Sequence, residues 1–154
     1  MAWTTPKTDW KAEYSNIEIY LGDFFNVEDY NRIKNNLQYI DDKAKELFYG
    51  IPDLHLGADK HFPIPGSPDF NNDNIFADEI NAIENGFQGI QDVIKLFDYG
   101  TAKLFYENGA FIDYVELNRL ESAELDLYEH IESSIAGKLR LAYRLGQKGS
   151  TIRV

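Results

Sequence analysis

Three times in this chain the same six-residue pattern opens a segment of helical periodicity, and no other feature constrains the fold so tightly. It reads Asp29-Tyr30-Asn31-Arg32-Ile33-Lys34, then Glu79-Ile80-Asn81-Ala82-Ile83-Glu84, then Glu116-Leu117-Asn118-Arg119-Leu120-Glu121. The three asparagines are 50 and then 37 residues apart, so the intervening loops differ in length. Two exits match as well, Leu47-Phe48-Tyr49-Gly50 and Leu96-Phe97-Asp98-Tyr99-Gly100. A repeated helix start with a repeated exit points to duplication, or to one structural device used more than once.

Each copy heads an apolar stripe with spacings of three and four. The stripes are Tyr30, Ile33, Leu37, Ile40, Ala44, Leu47; then Ile80, Ile83, Phe87, Ile90, Ile94, Phe97; then Leu117, Leu120, Leu127, Ile131, Ile135, with Glu124 interrupting the third. Asn26 and Asp113 stand where a side chain accepts the orphan amides of a first turn. Gly50, Gly100 and Gly137 stand where a left-handed residue stops a helix. Gly86 and Gly89 permit close approach of a neighbour. Helices are therefore expected near 26–49, 74–98 and 113–136.

The connections are less regular. Residues 51–74 hold four prolines and two glycines and read as a long loop. Asn108-Gly109 marks a turn. Ile17 to Leu21 alternates and suggests a strand. Lys138 to Leu145 alternates cleanly, Gly146 to Gly149 could turn, and Thr151 to Val154 could return, which together predict a C-terminal hairpin. The fold class expected is mainly α: one domain with an N-terminal arm over 1–25, a three-helix repeat bundle over 26–137, and a basic β-like hairpin over 138–154.

At 154 residues such a domain can bury one core without crosslinks. The chain has no cysteine, so thiol catalysis, zinc ribbons and disulfides are excluded. Its apolar runs are too short to span a bilayer, and Met1 to Pro6 lacks the basic start and apolar run of a signal peptide. The net charge of −11 repels phosphate backbones and anionic lipid, so neither nucleic-acid binding nor membrane insertion is expected. The charge is unevenly placed. Residues 138–154 carry five basic residues and no acid, which leaves −16 on the rest. A basic tail meeting an acidic surface, its own or a partner's, follows.

Few constellations suggest chemistry. His55 and His61 with Asp53 and Asp59 lie on the proline-rich loop without the spacing of a metal site. Asp69 to Asn74 imitates half of a calcium loop, but Asn74 stands where glycine is needed and Ile80 where glutamate closes the site. Glu121 and Glu124 share a helix face, which reads as solvated charge. His130 borders a stripe and reads as packing or surface. No cofactor, metal or catalytic residue is expected, and the chain reads as a non-enzyme; a hydrolase with an unrecognised carboxylate pair is the foil.

The repeated Asn31, Asn81 and Asn118 sit at the bundle boundary, where a short amide suits bonding a loop carbonyl or a neighbouring helix start. The contrasting reading is a recognition surface of three equivalent corners. Trp3 and Trp10 belong to no stripe; they either staple the N-terminal arm to the bundle or insert into a partner.

Trp3-Thr4-Thr5-Pro6-Lys7-Thr8-Asp9-Trp10, followed by Phe25-Asn26-Val27-Glu28-Asp29-Tyr30-Asn31-Arg32-Ile33, resembles the opening of small tail or baseplate-region proteins of phages and prophages of Gram-positive bacteria. Glu116 to Glu121 resembles a second helix start common in them, whereas the middle copy departs, with Ala82 in place of arginine. The resemblance implies a non-enzymatic virion structural protein without cofactor, docking onto other tail or baseplate proteins in several copies per particle, after assembly in the bacterial cytoplasm. Trp3, Trp10, Arg140 and Arg144 are the candidate partner contacts, with Leu139, Leu141 and Tyr143 packing inward. The alternative is a receptor- or glycan-binding module using loop aromatics such as Phe62 and Phe70.

Overall fold

A computed structural model describes residues 2–17, 19–95 and 98–150. The chain is mainly helical. Its elements are α1 (Val27–Leu47), a single turn α2 (Phe70–Asp73), α3 (Ala77–Val93) and α4 (Tyr114–Ser150). The helix starts follow the local chemistry. The Asn26 side chain accepts from the amides of Glu28 and Asp29 at 2.8 and 3.2 Å, and Asp29 accepts from the Asn26 amide at 3.1 Å. Asp113 accepts from Val115 and Glu116, both at 3.0 Å, at the start of α4. At α3 the Phe76 amide donates to Glu79 at 3.0 Å.

The stripes make one core. Tyr30, Ile33, Leu37, Ile40 and Ala44 of α1 meet Ile80, Ile83, Phe87 and Ile90 of α3 on one side and Leu117, Leu120, Leu127 and Ile131 of α4 on the other. Each such side chain contributes roughly 1.5–3 kcal/mol through burial, so the three stripes dominate folding. Gly50 and Gly100 have φ of 89° and 87°, as the exits require. A Cβ on Gly89 would stand 2.6 Å from the Pro52 ring, which is how the long loop lies flat on α3.

Three expectations are corrected. First, residues 138–150 are helix, not hairpin, and α4 runs through Gly137 without a break; residues 151–154 lie outside the described residues. From Ala136 to Ser150 there is no β-branched residue, and Ala, Leu, Lys and Arg are strong helix formers, so propensity overrides the short alternation. Second, Leu139, Leu141 and Tyr143 do not pack inward; they are 67%, 59% and 67% exposed. Third, Ile17 to Leu21 forms no strand. The segment folds back on itself, with a lone bridge between Tyr14 and Tyr20 and amides of Leu21 and Asp23 donating to Glu13 and Lys11. Ile17, Ile19 and Leu21 remain exposed.

Candidate functional site

Each repeated asparagine makes the same bidentate bond. The Asn31 amide donates to the Lys60 carbonyl and its oxygen accepts from the Lys60 amide, both at 2.8 Å. Asn81 does so with Phe105, again at 2.8 Å both ways. Asn118 grips Trp10 at 2.7 and 2.8 Å. A carboxamide can pair with one peptide group in this way because it offers a donor and an acceptor side by side. Lys60, Phe105 and Trp10 lie on the extended segments ahead of α3, α4 and α1 respectively. Thus α1 holds the lead-in to α3, α3 holds the lead-in to α4, and α4 holds the lead-in to α1. The three helix starts close a ring through backbone. Asn36 adds a fourth clamp, to Thr4, at 2.7 and 3.0 Å.

A second ring runs beneath the first. Arg32, one residue after Asn31, reaches Glu121 on α4 at 2.6 and 3.0 Å. Arg119, one residue after Asn118, pairs with Glu84 on α3. Both glutamates sit three residues after a clamp asparagine, and both are buried. The third pair of this set would join position 82 to position 34, and those positions hold Ala82 and Lys34. Lys34 turns instead to the Gly57 carbonyl at 3.1 Å and to the Asp59 carboxylate. Lys60 reaches Glu79 at 2.6 Å, so a different cation serves that corner.

The expectation that Glu121 and Glu124 are solvated is overturned, for both are fully buried. Glu121 accepts from the Lys7 amide at 2.6 Å and the Trp10 indole at 2.8 Å, besides Arg32. Glu124 occupies the stripe position that Leu37 and Phe87 hold in the other helices. It accepts from Asn36 at 3.2 Å, while its Oε1 has no hydrogen bond among the described residues. Burial pushes its carboxyl well above the usual carboxylate range; the Asn36 bond opposes this, and the neighbouring Glu121 charge adds to it. At the Arg119 corner burial raises Glu84 against the pull of that guanidinium.

Both tryptophans are used within the domain. Trp10 is buried, with Lys7 above its ring at 4.5 Å. Trp3 stacks on Tyr128 at 4.1 Å and meets Tyr39 at 6.1 Å. They staple the arm across α1 and α4. On the proline-rich loop His55 and His61 are exposed, Asp53 pairs with Lys45 and Asp59 with Lys34. Among the described residues no cluster of His, Cys, Asp and Glu could hold a metal ion. Asp69 to Asn74 is α2 with its cap, Asp69 accepting from the Asn71 and Asn72 amides. His130 is half-buried on α4.

Two surfaces remain uncovered. The first is the end of α4, exposed from Ala136 through Gly146, which carries Leu139, Leu141, Tyr143 and Leu145 together with Arg140 and Arg144. The second is an open groove of about 420 Å³ at the starts of α3 and α4, walled by Phe70, Phe76, Ile80, Phe105, Phe111 and Ile112. Phe70, Tyr106 and Phe111 on its lining are more than half exposed. Neither the groove nor the clamp partners have a sequence signal, because both depend on loops meeting helices far along the chain.

Comparison with protein-family models, curated proteins and solved structures gives no match for this chain. Among the described residues no helix is long and apolar enough to cross a membrane.

Proposed function

We propose that this chain is a non-enzymatic structural protein of a phage particle, a tail or baseplate component that docks on neighbouring virion proteins. The observation that carries the reading is the projecting end of α4. A rigid bundle locked by backbone clamps presents, beyond its own core, a helical arm bearing four large apolar side chains and two arginines. An isolated helical end of this length is marginal in water, so a partner is what stabilises it. The resemblance of Trp3 to Trp10 and Asp29 to Ile33 to phage tail-region proteins supplies the setting. Mass spectrometry of purified particles should find the chain in stoichiometric copies, and its absence from them removes the virion role.

Exposed aromatics on the long loop favour a second reading, a receptor- or glycan-binding module. Phe62 and Phe70 are 54% and 72% exposed. Binding on a glycan array that is lost in Phe62→Ala or Phe70→Ala supports that module; an empty array eliminates it.

A further inference from the structure

We infer that the arm at the end of α4 docks into the aromatic groove of a second copy of this chain, so that copies join head to tail. The inference rests on the docking role proposed for the arm and commits it to one occupant. Charge supplies the first argument. The segments lining the groove, residues 69–80 and 105–113, carry six acids and no lysine or arginine. Lys60 and Lys103 answer two of these acids, Glu79 and Asp113. Asp69, Asp78 and Glu107 stay exposed around an apolar floor.

The arm is the complement of that surface. Arg140 and Arg144 run one turn apart along one side of the helix, and Leu141 and Leu145 run one turn apart along the adjoining side. An amphipathic helix laid in a groove places its leucines on the floor and its cations on the rim, where steering and partner choice are set.

Geometry makes the contact intermolecular. The groove opens beside Phe111 and Ile112, which lead into α4 at Tyr114, whereas the arm begins beyond Gly137 at the other end. At 1.5 Å per residue those two points are about 35 Å apart along a continuous helix, so no copy can fill its own groove. A surface that binds a different surface of the next copy is heterologous, and it closes a ring or extends a filament according to the rotation per step.

The test is sedimentation of the full chain over a range of concentration and salt, with charge reversal at each surface. Arg140→Glu with Arg144→Glu reverses the arm, and Asp78→Lys with Glu107→Lys reverses the groove; all four positions are exposed. Wild type is expected to form oligomers larger than dimers that weaken as salt rises. Each reversed variant is expected to be monomeric at concentrations where wild type associates, with an unchanged melting temperature. An equimolar mixture of the two, and the fourfold variant, should regain association at low salt. Groove-reversed chains that still associate would mean that arms pair with one another, and overturn the inference. So would a wild type that stays monomeric to about 1 mM. That monomer, combined with arm-dependent incorporation into particles, would leave the docking role standing, whereas arm-independent incorporation would remove both.

Discussion

Replacing Asn118 with alanine should unfasten the N-terminal arm from α4. The side chain makes two bonds to one peptide group, at 2.7 and 2.8 Å, across 108 residues of sequence. Its loss leaves the Trp10 amide and carbonyl without their partners beside the buried Trp10 ring. An orphaned buried group costs roughly 1–3 kcal/mol, and this peptide is only partly enclosed, so the pair should lose about 2–4 kcal/mol. For a domain of this size that lowers the melting temperature by roughly 5–15 °C. Urea unfolding followed by circular dichroism should show a lower midpoint at constant slope. Asn31→Ala and Asn81→Ala, which break the same bonds at the other corners, should fall in the same range. Asn118→Asp should be no better than alanine, since a carboxylate cannot donate to the Trp10 carbonyl. A loss under about 0.5 kcal/mol, the level of an ordinary surface substitution, would show that the ring of clamps does not hold the fold.

Arg32→Ala should cost roughly 3–5 kcal/mol by stranding the buried Glu121 charge, and adding Glu121→Gln should recover a good part of it; equal urea midpoints for single and double variants would refute this. Glu124 is raised by burial, so its folded form holds the proton better than the unfolded chain, and that stabilisation is present below the ordinary carboxyl value of 4.5 and drains away as pH rises above it. Glu124→Gln should therefore raise stability at pH near 8 and flatten the decline between about pH 5 and 8; an unchanged slope would mean another group titrates. Trp10→Ala should destabilise by roughly 3–5 kcal/mol, because the indole is buried and bonded to Glu121, and a melt within error of wild type would return Trp10 to the surface. Ending the chain after Gly137 removes only exposed residues and should leave the bundle's unfolding free energy within about 0.5 kcal/mol; a larger fall would show that the arm touches its own domain.

The sequence makes the three stripes, the caps at Asn26 and Asp113, and the glycine exits legible because each is a short-range pattern with one physical solution. The clamp asparagines are legible as a device but not in their partners. Nothing local to Asn118 says that Trp10 lies opposite, since that choice is made by packing over 108 residues. The burial of Glu121 and Glu124 is hidden for the same reason: paired acids look solvated until Arg32, Asn36 and the Trp10 indole arrive from elsewhere. Residues 138–145 mislead in another way. Their alternation is only eight residues long, which strand and helix both accommodate, and the missing β-branched side chains were the better signal. The two exits share a sequence but not an outcome. Tyr49 stands fully exposed, whereas Tyr99 is buried against Phe87, beneath the Arg119 guanidinium, with its hydroxyl pushed up to about 12 by that burial.

Arg119 is also what makes the departure of the middle repeat intelligible. In the two corners that keep arginine, the guanidinium bonds an acid one turn back on its own helix, at 2.8 Å in each case, and a buried glutamate on the next helix. Where Ala82 replaces arginine, the acid one turn back is Glu79, and it is neutralised by Lys60 from the clamped loop. The glutamate that a third arginine would have met is Lys34, which is buried and answers the loop at Asp59. Keeping a glutamate at 34 opposite Ala82 would strand a buried charge at a cost of several kcal/mol, and keeping arginine at 82 opposite Lys34 would set two cations together. The two positions therefore only work when changed together, and the loop's own Lys60 and Asp59 complete the exchange. The asparagine clamp is indifferent to this swap because it bonds backbone, which is why Asn31–Lys60 and Asn81–Phe105 keep the same 2.8 Å geometry as neighbours on either side of the altered corner.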